Sequence, residues 1–401
     1  MRVLWFSNSP SRYYAQGSGK GYNGCGWISS LEALVREDVT LGIVFLTASK
    51  ADAPRRIDGV DYYPVYDPSD NRRARVKKLL FGHGCADKYL VGKYLEVVDS
   101  FCPDVIQVFG SEHSFGLVAG KVSCPVFLHV QGIMGPYYKA FLIPGLTWRK
   151  YIFWDGTLQG ALLRLYIRSR WRHAVRREKK ILSLVQNYFC RTAWDKAEIL
   201  KANPSAHIIH CDEVLRPAFY DAAPWQPEGD KPVFVTTISE PSYKGFDVVL
   251  RAGKMLKDSG LDFEWRVFGN VAPAFFEMIT GVTCSQAGVT LRCVADADTL
   301  AEELRRAWVY VHPSYIENSP NSVCEAQMIG VPVVAADVGG VSSLIDDGQT
   351  GYLFPAGDAS ALASKLRDPS RASSKSVAYR RHNKEKIKST ILTAWRESVN
   401  I

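Results

Sequence analysis

Short apolar runs alternate with longer, helix-like stretches along almost the whole chain. Val3–Ser7, Thr40–Thr47 and Val233–Ile238 are such runs. Alternation of this kind is typical of α/β folds, in which consecutive strands pair in parallel and helices cover the sheet. Because a single hydrophobic core stops growing at about 250–300 residues, a chain of 401 residues is predicted to form two such domains.

The strands and the domain boundary follow from the same pattern. The predicted strands are Val3–Ser7, Thr40–Thr47, Asp104–Phe109, Pro125–Val130 and Ser183–Cys190 in the first half, and Val233–Ile238, Phe263–Gly269, Thr290–Cys293, Trp308–His312 and Val331–Ala335 in the second. Residues 217–230 are rich in proline and polar residues, which is typical of a linker. The predicted domains are therefore 1–216 and 231–378.

Composition limits the setting in which the chain works. It is 47% hydrophobic and 22% charged, as in an ordinary globular protein. Its nine cysteines are scattered and include no C-x-x-C pair, so a reduced cytoplasm is the expected location. The first residues are interpreted as a strand rather than a leader, and no apolar run is long enough to span a bilayer.

Two carboxylates stand eight residues apart in Glu317-Asn-Ser-Pro-Asn-Ser-Val-Cys-Glu325, between a predicted strand and a predicted helix. Ser319 is a favourable N-cap for that helix, with proline after it at the first helical position, and Gly330 is a stop signal. The free N–H groups of Asn321 and Ser322 would face an anion placed before the helix. One acid could then accept hydrogen bonds from ribose hydroxyls while the other faces a sugar. The alternative is two solvated surface acids.

The sequence around these acids favours the first interpretation. Ser314-Tyr-Ile-Glu-Asn-Ser-Pro-Asn-Ser-Val-Cys-Glu-Ala-Gln-Met-Ile-Gly-Val-Pro-Val-Val-Ala, followed by Gly351-Tyr-Leu-Phe-Pro-Ala-Gly-Asp358, resembles the E-x7-E block of glycosyltransferase family 4, the group 1 glycosyl transferases. The resemblance implies the GT-B fold, with two Rossmann-like, doubly wound parallel-sheet domains facing a central cleft. It also implies that a helix within 379–401 crosses back to the first domain.

The resemblance also assigns roles to residues of this chain. It implies that His129 and Glu317 are catalytic. The implied donor-binding residues are Gly24, Gly26, Lys244, Asn318, Ser319, Asn321, Ser322 and Glu325. Glu325 would bind ribose, and Lys244 would neutralise the charge that builds on the leaving diphosphate.

Three candidates in the first half also have local arguments. Gly24 and Gly26 belong to a glycine-rich loop before a predicted helix, which can wrap a phosphate closely but lacks the Walker and dinucleotide-binding spacings. His129 ends a predicted strand, where active-site groups gather in parallel sheets, although a lone histidine there is more often packed in the core. Glu112 and His113 are weaker candidates for the acceptor side.

One expected cation is missing from the second half. Members of the family carry a Gly-Arg pair some six residues before the phosphate-facing lysine, and this chain has Thr237-Ile238 there. Either Lys244 and the helix N–H groups suffice, or another base such as Arg216 or Arg191 takes that place.

No metal is expected. Asp296 and Asp298 form a D-x-D pattern, but they precede a helix-like segment in which a first-turn acid is ordinary capping. No histidine and cysteine cluster has zinc spacing either. In the chemistry that the resemblance implies, the helix dipole and Lys244 supply the positive charge.

Basic residues are concentrated in one segment. Residues 149–180 contain ten Lys or Arg and two acids, which gives +8, equal to the net charge of the whole chain. Because aromatic and aliphatic residues are interleaved with them, we expect peripheral docking on an anionic membrane. A solvated basic helix face with a buried apolar side is the plainer alternative, and nucleic-acid binding is a third. No nucleic-acid partner is predicted.

The function that the resemblance implies is metal-independent, retaining transfer of a sugar from a nucleoside-diphosphate sugar to a glycan or lipid-linked glycan. Cell-surface polysaccharide or lipopolysaccharide biosynthesis is the expected setting. A sugar-nucleotide epimerase, a phosphorylase or a non-catalytic nucleotide-sugar-binding protein on the same scaffold stays open.

Overall fold

The structure, a computed structural model, describes residues 1–14, 26–68, 82–239, 242–367 and 375–399. Its first sheet contains β1 (Arg2–Phe6), β2 (Thr40–Thr47), β3 (Arg55–Ile57), β4 (Val60–Tyr66), β5 (Val105–Phe109), β6 (Val126–His129), β7 (Asn187–Cys190) and β8 (His207–His210). The spatial order is β3-β4-β2-β1-β5-β6-β7-β8, and every pair is parallel except β3 with β4. The chain thus winds outward in both directions from β1.

The second sheet contains β9 (Val233–Ile238), β10 (Glu264–Gly269), β11 (Val289–Arg292), β12 (Val309–His312), β13 (Val333–Ala336) and β14 (Tyr352–Phe354). All of its pairs are parallel, in the order β11-β10-β9-β12-β13-β14. The order of the strands reverses between β9 and β12. Such a switch point leaves a crevice at the carboxyl ends of the strands, where open α/β sheets bind ligands.

Helices cover both faces of each sheet. Their bounds are Gly26–Val35, Gly84–Phe101, Met134–Ala140, Trp148–Phe153, Leu158–Leu184, Ala193–Ala202, Pro217–Asp221, Phe246–Asp258, Pro273–Thr280, Ala297–Arg306, Asn321–Ile329, Ala359–Arg367, Lys375–Arg381 and Lys384–Val399. Within the described residues, no helix is both long enough and apolar enough to cross a membrane.

The double layer of helices explains why the central strands are continuously apolar. In β1, Val3 and Trp5 enter one buried cluster, while Leu4 and Phe6 enter another on the opposite face. Both faces of a parallel sheet are buried, so an alternating polar pattern would leave unpaired polar groups inside.

The last helix, Lys384–Val399, packs against the first sheet although the chain has by then passed through the second domain. Its Trp395 is fully buried, and the indole N–H donates to Oε1 of Gln107 on β5 at 3.0 Å. Lys388 forms an ion pair with Asp38 at 2.7 Å. This helix therefore ties the C-terminus to the first domain.

The parallel two-sheet architecture is confirmed, and several boundaries differ from the predictions. The predicted strand Ser183–Cys190 is wrong in its first half, because the helix Leu158–Leu184 runs into it and β7 begins at Asn187. The strands β3, β4, β8 and β14 were not predicted, since they are short or only half-buried and lack a long apolar run. Three of them, β3, β8 and β14, lie at sheet edges, whereas β4 lies between β3 and β2.

The segment predicted as a linker is not a free tether. Phe219 is buried among residues of the second domain, and the indole N–H of Trp225 donates to the carbonyl of Ala307 at 2.7 Å. Residues 217–230 thus lie against the second domain.

Candidate functional site

A cavity of about 380 Å³ opens at the carboxyl ends of β9, β10 and β12. It is lined by Gly26, Trp27, Arg216, Thr237, Ile238, Ser239, Lys244, Phe268, Gly269, Asn270, Val294, Ala295, Leu300, His312, Asn321, Ser322 and Glu325. We call it the cleft cavity. It lies at the switch point of the second sheet, and the first domain contributes one wall through Gly26 and Trp27.

The helix Asn321–Ile329 points its first residues at the cleft cavity. Asn321 and Ser322, both predicted donor ligands, line it. The helix begins one residue later than predicted: Pro320 is the N-cap, with no side-chain cap, so the predicted capping role of Ser319 is wrong. Gly330 ends the helix in a left-handed conformation (φ 97°), as predicted. The uncapped N–H groups at the helix start face the cavity with the positive end of the helix dipole.

Lys244 enters the cavity at the start of the helix Phe246–Asp258 and forms an ion pair with Glu317. Glu317 also accepts hydrogen bonds from Ser314 Oγ at 3.1 Å and from the Tyr137 hydroxyl at 3.4 Å. Burial acts to raise the pKa of Glu317, but the Lys244 ammonium, His312 and the Ser314 hydroxyl together outweigh it, so this pKa lies below its usual range. Glu317 is thus an ionised, fully engaged carboxylate beside the cavity rather than on its lining.

Glu325 lies on the cavity wall and forms a bidentate ion pair with Arg216. Nε and Nη2 of Arg216 donate to Oε1 and Oε2 of Glu325 at 2.7 and 2.8 Å. Burial raises the pKa of Glu325, and Arg216 opposes that shift. Two acid–base pairs therefore flank one cavity, Lys244 with Glu317 and Arg216 with Glu325.

His312 is a cavity residue that the sequence predictions missed. It ends β12, and neither ring nitrogen has a hydrogen-bond partner among the described residues. Burial lowers its pKa to about 4, so the ring is neutral near pH 7. The signal that could have found it is its place at the end of a buried strand, which is the same signal that selected His129.

His129 lies elsewhere. It is fully buried at the end of β6, packed against Trp27, Phe109 and Phe189 with ring centroids 5.3–5.7 Å apart. Burial lowers its pKa well below the usual range. His129 does not line the cleft cavity, whereas Trp27, whose ring it contacts, does.

Asn318 and Ser319 join the two domains instead of lining the cavity. The amide of Asn318 donates to Asp195 at 2.8 Å and accepts from Thr192 at 2.7 Å, and its backbone N–H donates to the Tyr137 hydroxyl. Ser319 donates to Glu213 at 3.1 Å. The predicted donor ligands therefore separate into cavity residues and interdomain contacts.

The glycines near the site also differ in what they contact. Gly24 lies outside the described residues. Gly26 lines the cavity, where a Cβ atom would overlap Cγ and Cδ of Arg216. Gly339, with φ 53°, and Gly340 follow β13, and Cβ atoms added there would meet the backbone oxygens of Glu317 and Asn318. These two glycines make room for protein, and Gly26 makes room for an arginine.

A second cavity, of about 550 Å³, lies in the first domain, and we call it the first-domain cavity. Glu112 and His113 line it, together with Tyr137 and Tyr243 at its border with the cleft. Burial raises the pKa of Glu112 to about 7 and lowers that of His113 to about 4. A carboxyl group of this kind can donate a proton or a hydrogen bond near neutral pH.

The arrangement of potential metal ligands was predicted to form no metal site. Among the residues that the structure describes, no group of three histidine, cysteine, aspartate or glutamate side chains is arranged to hold a metal ion. Asp296 instead accepts the backbone N–H of Thr299 at 2.8 Å, so it is the N-cap that the sequence predicted.

Comparisons with known proteins agree with this architecture. Residues 230–369, most of the second domain, match the family model of the glycosyl transferases group 1. A putative colanic acid biosynthesis glycosyltransferase, WcaL of Salmonella typhimurium, is 29% identical over 136 residues, which is 32% of this chain and 33% of that protein. The chain thus aligns with about a third of the length of this curated relative.

Solved structures extend the likeness to the whole chain. Sucrose-phosphate synthase from Thermosynechococcus elongatus has a TM-score of 0.71 at 16% identity, covering 99% of this chain and 98% of that one. HepE of Anabaena in complex with UDP-glucose has a TM-score of 0.64 at 13% identity, covering 99% and 100%. The fold is the GT-B fold, and the match to the group 1 glycosyl transferases lies in its second domain.

Proposed function

We propose that this protein is a glycosyltransferase that moves a sugar from a nucleoside-diphosphate sugar to a glycan or lipid-linked glycan. The observation that carries the proposal is the cleft cavity, in which a helix start, a lysine and a glutamate converge at a sheet switch point. The name of WcaL refers to colanic acid biosynthesis, and HepE was solved with UDP-glucose. Both support a role in cell-surface polysaccharide or lipopolysaccharide assembly.

In this proposal the donor lies across the cleft cavity. The diphosphate faces Lys244 and the N–H groups of Asn321 and Ser322, and the ribose hydroxyls donate to Glu325. Positive charge placed beside the leaving diphosphate stabilises the transition state, which is where the charge develops. The glycosidic oxygen then needs no protonating acid and no metal.

Glu317 is the candidate for the sugar side of the reaction. Its carboxylate is held between Lys244 and Tyr137, from the second and the first domain respectively. An ionised carboxylate at this border can hydrogen-bond the transferred sugar and stabilise positive charge on its anomeric carbon. Departure of the diphosphate and attack of the acceptor hydroxyl on the same face, with the hydroxyl proton passing to the departing phosphate oxygen, would retain the anomeric configuration.

The first-domain cavity is the proposed acceptor site. Tyr137 borders this cavity and contacts Glu317, so an acceptor hydroxyl there would approach the sugar from the first domain. Aromatic side chains such as Trp171 and Tyr166 offer faces for sugar rings, and Glu112 offers a carboxyl for a hydroxyl group.

The basic segment 149–180 supports peripheral docking on an anionic membrane. Phe153 and Leu158 are 60% and 77% exposed, and Leu162 lies one helical turn beyond Leu158 with 48% exposure. One of the segment's two acids, Glu178, is buried and accepts the backbone N–H of Met134, so the exposed charge is mostly positive. Apolar side chains beside cations favour the interface of an anionic bilayer.

Docking can be tested with vesicles. The protein should co-sediment with phosphatidylglycerol-containing liposomes and not with neutral ones, and Phe153→Ser with Leu158→Ser should weaken binding. Sedimentation with neither vesicle would refute membrane docking and leave the transferase proposal intact.

The central experiment is a panel of UDP-, GDP- and ADP-sugars. One donor should raise the thermal unfolding midpoint, and with lipid-linked acceptors it should give a product of retained anomeric configuration in the presence of EDTA. Glu317→Gln should abolish transfer while the nucleoside diphosphate still binds. Conversion of the donor without an acceptor would indicate an epimerase. The absence of binding by every donor would refute the proposal.

A further inference from the structure

Among the described residues, two cationic side chains line the cleft cavity, and both are already paired with a carboxylate. Lys244 pairs with Glu317, and Arg216 pairs with Glu325. The formal charge of these four side chains is therefore zero. A diphosphate is strongly anionic, so the cavity would have to free at least one cation to bind it well.

Arg216 is built so that it can be freed. Its guanidinium lies 4.8 Å from the ring centroid of Phe219, and its Cγ and Cδ atoms lie against Gly26, where a Cβ atom would overlap them. Two of its nitrogens donate to Glu325, and Nη1 has no partner among the described residues. The stem of the side chain is thus guided by the first domain while its head stays in the cavity, 15% exposed.

The partner of Arg216 is also the residue that the donor would engage. Ribose hydroxyls can donate to both oxygens of Glu325, and would then satisfy the carboxylate in place of the guanidinium. The released guanidinium can form two parallel hydrogen bonds to phosphate oxygens, a geometry that lysine cannot match. Ile238 lines the same cavity without offering any charge.

We propose that Arg216 is the second cation for the donor diphosphate, and that ribose binding to Glu325 releases it. The proposal rests on the proposed function, because it needs a nucleoside diphosphate in the cleft cavity. Arg216 then contacts the phosphates directly, and its release depends on the binding of the ribose to Glu325. The competing interpretation is that the ion pair between Arg216 and Glu325 is permanent and only holds Arg216 to the helix Asn321–Ile329.

Affinities for a nucleoside and its diphosphate separate the two interpretations. Calorimetry would use uridine with UDP, guanosine with GDP and adenosine with ADP, and the pair whose diphosphate binds the wild-type chain is carried forward. Arg216→Met should weaken the diphosphate about 10- to 100-fold, which is the range expected for losing hydrogen bonds to a charged group. The neutral nucleoside should bind equally well or up to several-fold better, because Glu325 no longer has to leave a partner.

Two further variants guard against a folding defect. Gly26→Ala leaves every charge in place but displaces the arginine stem, so it should also weaken the diphosphate selectively. Arg396→Met, on an exposed face of the last helix, is the matched control and should change neither affinity. Equal weakening of nucleoside and diphosphate by Arg216→Met, or no weakening of either, would overturn the exchange. If no diphosphate binds the wild-type chain, the proposed function fails instead.

Discussion

The ion pair between Lys244 and Glu317 can be tested by removing its cation. Lys244→Met keeps the apolar stem but leaves the Glu317 carboxylate with two neutral donors, Ser314 and Tyr137. Breaking a buried pair from one side costs about 3–5 kcal/mol. Because the side chain of Lys244 is 21% exposed, water can replace part of the lost interaction, and we expect the lower end of that range.

The cost should depend on pH, with a definite sign. In the wild-type chain the pKa of Glu317 is below its ordinary value of 4.5, so the pair adds stability above that pH and loses it as pH falls. Without the lysine, burial raises this pKa, and the variant can protonate Glu317 at a cost of about 1.4 kcal/mol for each pH unit above the ordinary value. The loss is thus about 3 kcal/mol at pH 8 and about 1–2 kcal/mol at pH 5.5.

Urea unfolding at the two pH values measures this difference. Lys244→Met combined with Glu317→Gln should be more stable at pH 8 than Lys244→Met alone, because no charge is then left buried. Lys254→Met is the matched control, since its pair with Asp258 is exposed and should contribute less than about 0.5 kcal/mol. An equal loss at pH 5.5 and pH 8, or strict additivity in the double variant, would refute the reasoning.

Two other side chains give direct tests. Burial raises the pKa of Glu112 from 4.5 to about 7, so the unfolded chain releases this proton at a lower pH than the folded chain does. The wild-type chain therefore loses stability as pH rises from 4.5 to 7. Glu112→Gln should become more stable than the wild-type chain by up to about 3 kcal/mol over this range, measured by thermal unfolding. Asn318→Ala removes hydrogen bonds to Thr192 and Asp195 across the domains and should cost about 1–3 kcal/mol, with faster limited proteolysis between the domains; unchanged proteolysis would mean that these bonds do not hold the domains together.

The fold could be predicted well because its determinants are local. Thr40–Thr47 and Val233–Ile238 are observed with the predicted bounds, since each is a continuous apolar run buried on both faces. Ser183–Cys190 failed because the helix Leu158–Leu184 continues into it, and a short apolar run does not distinguish a buried helix end from a strand.

Site residues could be predicted only where a single segment supplies them and also sets the direction in which they face. Asn321, Ser322 and Glu325 lie on one helix, so their common approach to the cavity follows from that helix alone. Asn318 and Ser319 precede it, and their partners are Asp195 and Glu213, more than a hundred residues away. Partners so distant cannot be read from local spacing.

Two histidines show the limit of inferring a site residue from its position at the end of a buried strand. Both His129 and His312 end a buried strand, but the first packs among aromatic rings and only the second lines the cleft cavity. We therefore expect His312→Ala to weaken donor binding or transfer about tenfold. His129→Ala should instead cost about 2–4 kcal/mol of stability, because it opens a cavity in the core. Donor titrations and urea unfolding of both variants test this. Loss of activity from a fully stable His129→Ala chain would contradict it and restore His129 to the catalytic role that the family resemblance implies.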